Sequence, residues 1–219
     1  MKKYYEAYEE RYKTIHQMGL EWAEKDPSPI VSMVIEKYSL SKNTKILEIG
    51  CGEGRDSIYL YNKGYNVYGS DISKEAVKHC IIKSGSNNFF QLDAINGVLH
   101  EKYDYIFAIS VVHMLVIDED RNKFLRFIKE HLNKDGYALI CTMGDGTQEY
   151  ETDVNHAFDT VERIHESSNQ SVAVAATSCR IVNWNTFEME LSGANFNILD
   201  RGVSLDIPGF GPIMYAIAQ

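Results

Sequence analysis

The residues best placed to do chemistry in this chain cluster in one stretch, LEIGCGEGRD, from Leu47 to Asp56. Gly50, Gly52 and Gly54 alternate there with other residues, directly after the apolar run TKILEIG. Glycines at that density mark a backbone that turns sharply and lets a ligand come close. An acid, Glu48, stands just before them. Two more acids close later apolar runs, Asp71 after YNVYGS and Asp93 in LDA, and His113 follows the run YDYIFAISVV.

Which ligand such a loop holds is constrained by what surrounds it. A dinucleotide site with G-x-G-x-x-G reading from Gly50 needs glycine at position 55, which is Arg55. No G-K-[ST] follows, which excludes a phosphate-binding P-loop. Glu48 would repel a pyrophosphate; it suits a ligand carrying positive charge, or serves to orient the loop's backbone donors. Asp71 lies 21 residues after Gly50, about the spacing at which an acid accepts hydrogen bonds from an adenosine ribose. Asp93 is placed to accept from an adenine amino group. S-adenosylmethionine, with a sulfonium, an ammonium and no phosphate, meets all of these conditions.

The surrounding pattern supplies the elements that must position these groups. From Thr44 onward short apolar strands alternate with amphipathic helices, five strands in all up to YALICTM, which argues for a parallel sheet with helices on both faces. Ser73 and Gly85 bracket one of these helices as cap and stop, and Gly64 ends another. The first forty residues read as helices: Tyr4, Tyr8 and Tyr12 share a face, as a lid over a pocket or as packing, and Ser28 with Pro29 opens a second helix. After Met143 the rhythm breaks. Residues 144–183 are too long for a bare connection, and a helix from about Asp153 to Glu166 with a strand near Val172 to Val182 is expected. Asn185 with Glu188 reads as a capping box, and the chain closes on two antiparallel strands.

At this point the sequence resembles the class I S-adenosylmethionine-dependent methyltransferases of the type 11/25 kind. The resemblance runs from about Tyr8 to the C-terminus and is strongest over 44–143, where ILEIGCGEGRDSIYL is similar to the family's first motif. It implies an α/β fold: a doubly wound, Rossmann-like, mostly parallel sheet of seven strands in the order 3-2-1-4-5-7-6, one of them antiparallel. It implies that Gly50, Gly52 and Gly54 carry the amino-acid part of the cofactor, Asp71 the ribose, and Asp93 with Ala94 the adenine. Glu48, Cys51, Arg55, Ile72 and Ser110 are implied as further cofactor contacts. YEERYK, Trp22 and PSP resemble the opening segment of the tellurite- and thiopurine-methyltransferase-like group, with Tyr12 and Trp22 as its cofactor-facing aromatics. One domain is expected, with a helical cover (1–40), a cofactor-binding core (44–143), a lid (144–183), and a C-terminal helix and strands (184–219).

The acceptor is less legible. Methyl transfer from a sulfonium needs alignment and exclusion of water more than elaborate acid–base machinery. Ser110-Val111-Val112-His113 stands where adenine- and amide-methylating enzymes carry [N/D]-P-P-[Y/F], which counts against those acceptors. His113 is a candidate proton acceptor, or a histidine that packs locally. Arg180, in a mostly apolar run, must meet a carboxylate, either a substrate anion or an internal acid such as Asp206. His156 and His165 are too far apart in sequence to align on one helix face as metal ligands, so no metal is expected. The net charge of −9 gives a phosphate backbone no evident grip, so a small-molecule acceptor bearing a reactive N, O or S is favoured over nucleic acid. The four scattered cysteines, the absence of an apolar signal core and the lack of a 20-residue apolar run point to the cytoplasm; a monomer or homodimer is expected. The alternatives are a nicotinamide-dependent oxidoreductase, a non-catalytic cofactor-binding partner subunit, and a tRNA- or protein-modifying enzyme.

Overall fold

The computed structural model describes residues 2–165 and 167–219. A 3₁₀ turn, Tyr4–Glu6, leads into α1 (Ala7–Gln17), followed by α2 (Pro29–Lys37). The alternating core then runs β1 (Ile46–Ile49), α3 (Arg55–Asn62), β2 (Val67–Asp71), α4 (Lys74–Ser84), β3 (Phe89–Gln91), β4 (Tyr103–Ala108), α5 (Asp118–His131) and β5 (Leu132–Met143). Past it come β6 (Tyr150–Glu151), β7 (Thr160–His165), β8 (Gln170–Ala175), β9 (Arg180–Ile181), α6 (Trp184–Gly193), β10 (Ile198–Ser204) and β11 (Ile213–Ala218).

Seven strands form one sheet in the order β3-β2-β1-β4-β5-β11-β10, in which only β11 runs antiparallel to its neighbours. This is the expected order, with the sixth and seventh core strands in sequence being β10 and β11. Alternate residues of each central strand serve opposite faces, as the pleat requires. Tyr105 and Phe107 of β4 pack with Ile46 against α2 and Leu60 of α3. Ile106 and Ala108 pack with Leu47 and Ile49 against Phe124, Leu125 and Ile128 of α5 and Phe187 of α6. A sheet covered on both faces explains why its strands read as nearly continuous apolar runs.

Three local expectations are corrected. The helix expected over Asp153–Glu166 is a 3₁₀ turn at Val154–His156 followed by β7, and Glu166 itself lies outside the described residues. β7 pairs antiparallel with β8, and β6 with β9, so the expected single strand over Val172–Val182 is two. Periodicity misread this segment because β7 is solvated on most of its length and carries no apolar stripe. The cap of α6 is Asn183, whose side chain accepts from the Thr186 N–H, rather than Asn185. The opening helix also stops early, at Gln17, where Gly19 takes φ +72°. Among the described residues no helix is long and apolar enough to cross a membrane.

Candidate active site

The glycine loop joins β1 to α3 at the carboxyl edge of the sheet, beside the ends of β2 and β4. Gly50 (φ +77°) and Gly52 (φ +51°) adopt left-handed conformations. A Cβ at Gly50 would overlap the Val111 side chain, and one at Gly52 would stand 2.6 Å from the Tyr12 hydroxyl. Only glycine fits either place.

Two buried carboxylates hold the loop. Glu48 Oε2 accepts the Ser57 N–H at 2.9 Å, in the first turn of α3. Burial and the neighbouring Asp56 push the Glu48 carboxyl well above the usual carboxylate range. A helix N-terminus is an anion site only while its N–H groups are free; here one of them already faces a carboxyl group. Asp71, at the tip of β2, accepts the Gly52 N–H through Oδ2 and the Ser73 N–H through Oδ1, both at 2.8 Å. Burial lifts its pKa to about 6 against the pull of those two donors. Glu48 thus acts as an orienter of backbone donors, one of the two roles its position suggested.

Two cavities meet at this loop. The smaller, about 610 Å³, is bounded by Gly50, Asp71, Ile72, Asp93 and Ala94, roofed by Tyr5, Tyr8 and Tyr12, and floored by aliphatic side chains and Phe124; no lysine or arginine lines it. Asp93 Oδ1 accepts the Ile95 N–H at 2.9 Å, fixing the turn beneath that cavity. The larger, about 2040 Å³ and open to solvent, adds Trp22, Glu48, Cys51, Gly52, Arg55, Ser110 and His113 on one side and the β7–β8 hairpin on the other. Tyr12 and Gly50 line both. Of the expected site residues, Gly54 and Arg180 line neither cavity. Gly54 is the left-handed entrance to α3.

Ser110 and His113, which line the larger cavity, each carry one buried polar atom without a partner. Ser110 takes φ +59°, and its Oγ is buried without a hydrogen-bond partner. His113 sits in the 3₁₀ turn Val112–Met114, 3% exposed, with Nδ1 equally unpartnered. Burial and the nearby Arg121 charge drive its pKa down to about 3. The imidazole is therefore neutral at ordinary pH. Its contribution to stability is complete above its unfolded pKa of about 6.5 and is lost as pH falls towards 3. Unpaired buried polar atoms are costly to a fold.

Glu53 was missed by sequence reasoning because nothing in the spacing of the loop assigns it a partner. It is 2% exposed and accepts from the Trp22 N–H (2.8 Å), the Ala23 N–H (2.6 Å) and His16 Nε2 (2.8 Å). The loop thereby clamps the segment after α1 over itself. Replacing Glu53 by Gln leaves an amide NH₂ facing at least one of those donors, at a cost of about 1–3 kcal/mol. The Trp22 and Ala23 amides should then exchange with solvent at least about tenfold faster. Unaltered exchange at both would remove Glu53 from this role.

Arg180 is a correction. Its Nη1 donates to the Val116 carbonyl and to Asp118, with Glu151 at 3.9 Å from Nε, so its carboxylate partners are internal, and neither is the expected Asp206. The reason is tertiary: β9 runs past the start of α5, a proximity no local pattern reveals. Arg55 is likewise committed, donating to the Pro208 carbonyl, Ser28 Oγ and Asp56. No group of three or more metal-ligating side chains gathers among the described residues.

The sequence profile of the tellurite resistance protein TehB matches residues 22–171. A probable S-adenosyl-L-methionine-dependent methyltransferase TehB from Haemophilus influenzae is 30% identical over 113 residues, covering 49% of this chain and 38% of the relative. A ubiquinone biosynthesis O-methyltransferase from Rickettsia typhi is 26% identical over 129 residues, covering 55% of this chain and 51% of the relative. The chain thus spans less than two thirds of the length of either curated relative. Among solved structures, a Burkholderia thailandensis 1,6-didemethyltoxoflavin-N1-methyltransferase, with bound 1,6-didemethyltoxoflavin and S-adenosylhomocysteine, superposes with a TM-score of 0.69 at 15% identity, covering 98% of this chain and 88% of that one. A glycopeptide N-methyltransferase complexed with sinefungin gives 0.66 at 16% identity, over 90% of this chain and 87% of that one. The fold is that of the Rossmann-like methyltransferases. The profile match takes in the glycine loop, Asp71, Asp93 and His113 and continues into the β7–β8 hairpin, and the chain belongs to the tellurite resistance protein TehB family.

Proposed function

We propose that the protein is an S-adenosylmethionine-dependent methyltransferase that methylates an N, O or S atom of a small molecule. The observation carrying this reading is the smaller cavity: an apolar, tyrosine-roofed space closed by two carboxylates, with no cationic side chain on its wall. It suits an adenosine, whose ribose hydroxyls would donate to Asp71 and whose amino group would donate to Asp93. It does not suit a pyrophosphate, which would meet Glu48 at the very helix terminus it needs. The same argument disfavours a nicotinamide dinucleotide.

The residues fit the cofactor in both directions. The glycine loop offers side-chain-free backbone to the amino-acid end, and Tyr12 with Trp22 covers that end from the N-terminal segment. The bound cofactor would supply an activated methyl group on a cationic sulfur. The chain itself has to orient an acceptor and keep water out. Ser110 and His113 line the larger cavity, and we take them as the polar side chains offered to an acceptor's own N–H or O–H. With a pKa near 3, His113 serves as a neutral hydrogen-bond acceptor that orients a lone pair, and is a weak base. Thr152, Asp153 and His156, Arg163 to His165 and Ala176 to Cys179, together with Tyr8, Arg11 and Tyr12 of α1, supply that cavity's outer wall.

Calorimetric titration with S-adenosylhomocysteine tests the reading, with micromolar binding expected. No binding below millimolar concentration refutes it. Release of S-adenosylhomocysteine across grouped thiols, amines, phenols and carboxylates then identifies the acceptor.

A further inference from the structure

Arg11, on α1, is 5% exposed and has no carboxylate against it among the described residues. Its Nε and Nη2 donate only to neutral oxygens at the end of β8 and just past it: the Ala175 carbonyl (3.2 and 2.7 Å), the Ala176 carbonyl (2.9 Å) and Thr177 Oγ1 (3.0 Å). The rings of Tyr8 and Trp22 flank the guanidinium, with centroids 4.9 and 4.8 Å from Cζ. Burial holds its pKa below the usual guanidinium value; the Tyr8 and Tyr12 hydroxyls oppose that shift, and the like charge of Arg163 on β7 adds to it. Both arginines line the larger cavity, and Arg163 makes no ion pair among the described residues.

A buried cation set beside a second cation, with only neutral acceptors, is an expensive arrangement unless a ligand supplies the opposite charge. The cavity's own carboxylates do not. Glu48 is taken up by the Ser57 N–H, Glu53 by three donors, and Asp56 by Ser28 and Arg55. Glu24 and Asp153 complete the set, and neither pairs with either arginine among the described residues. The planar fork of a guanidinium matches a carboxylate, and its aromatic flanks keep it oriented and partly dry. Arg11 also precedes the stretch shared with the TehB family, which begins at residue 22.

We propose that Arg11, with Arg163 beside it, is a receptor for a ligand carboxylate in the larger cavity. The proposal rests on the methyl-transfer reading of the site and extends it. The carboxylate has two possible sources: the methionyl end of the cofactor, reaching from the adjoining smaller cavity, or the methyl acceptor, which is then an organic acid.

Two titrations separate the sources. In the first, wild-type protein and Arg11→Gln are titrated with S-adenosylhomocysteine and with its decarboxylated analogue, 5′-deoxy-5′-(3-aminopropylthio)adenosine. A cofactor source predicts that wild type prefers the carboxylated form by at least about tenfold and that the variant binds both alike. In the second, cofactor-free protein is titrated with benzoate and with benzamide, read by the fluorescence of Trp22 against the guanidinium. An acceptor source predicts a saturable response to benzoate alone, lost in Arg11→Gln and weakened several-fold in Arg163→Gln. Position 163 is exposed, and the wild-type arms need no variant, so a folding failure of Arg11→Gln leaves the outcome readable. Equal affinity for the two cofactor forms, together with no benzoate response or one matched by benzamide, overturns the proposal. If S-adenosylhomocysteine fails to bind at all, the methyl-transfer reading falls, while the benzoate titration still decides the fate of Arg11.

Discussion

Asp71→Asn should weaken S-adenosylhomocysteine binding by at least about tenfold, a loss of about 1.4 kcal/mol. The isosteric amide keeps one accepting oxygen and turns an NH₂ towards either the Gly52 or the Ser73 N–H, both of which Asp71 now satisfies. One buried donor then faces another, so the glycine loop loses its tether as the proposed ribose contact is weakened. The wild-type protein should show a matching pH dependence. With the Asp71 pKa raised to about 6, cofactor affinity should fall as pH drops through that value and the carboxylate takes up a proton. Acid unfolding does not mimic this, because the signs are opposite. A carboxyl raised above its unfolded value of about 3.8 contributes stability that is complete below 3.8 and is lost as pH rises through 6. Calorimetry from pH 5 to 8 separates the two effects, and Asp71→Asn should flatten the affinity profile near 6. Unchanged affinity in the variant would refute the ribose assignment.

Arg121→Met should lower stability by about 3–5 kcal/mol, shifting Tm by on the order of 10 °C. Arg121 is fully buried on α5 and meets Glu190 of α6 through two hydrogen bonds, at 2.6 and 2.7 Å. Its Nη1 donates to the carbonyls of Val112 and Leu115, at 2.7 and 3.0 Å, bracketing the turn that carries His113. Removing the guanidinium strands the Glu190 carboxylate and two carbonyls beneath the larger cavity. A second change, Glu190→Leu, should recover much of the loss, since apolar groups replace a buried pair far better than half of one does. Because the Arg121 charge helps to depress the His113 pKa, that value should rise in the double variant, observable by NMR titration. A Tm within 2 °C of wild type in Arg121→Met would dismiss the clamp.

Neither Arg121 nor Glu53 was visible as a site residue in the sequence. Arg121 reads as one more charge in the polar helix DEDRNKFLRFIKEH, and its partner lies 69 residues away. Arg11 likewise reads as a surface residue of YEERYK until the hairpin closes over it. In all three cases the partner comes from a different element. Asp71, by contrast, was legible because strand length and the following cap place it beside the glycine loop whatever the rest of the chain does.

What the sequence determined by itself is the parallel core and the loop edge proposed for the cofactor. Glycine spacing, strand-ending acids and alternating apolar periods are local properties, and hydrogen bonding within the sheet converts them directly into position. What only tertiary structure decided is the side proposed for the acceptor. There α1, the glycine loop, the β7–β8 hairpin and the α5–α6 pair converge, and whether a charge is buried, paired or left waiting for a ligand depends on contacts among residues far apart in the chain.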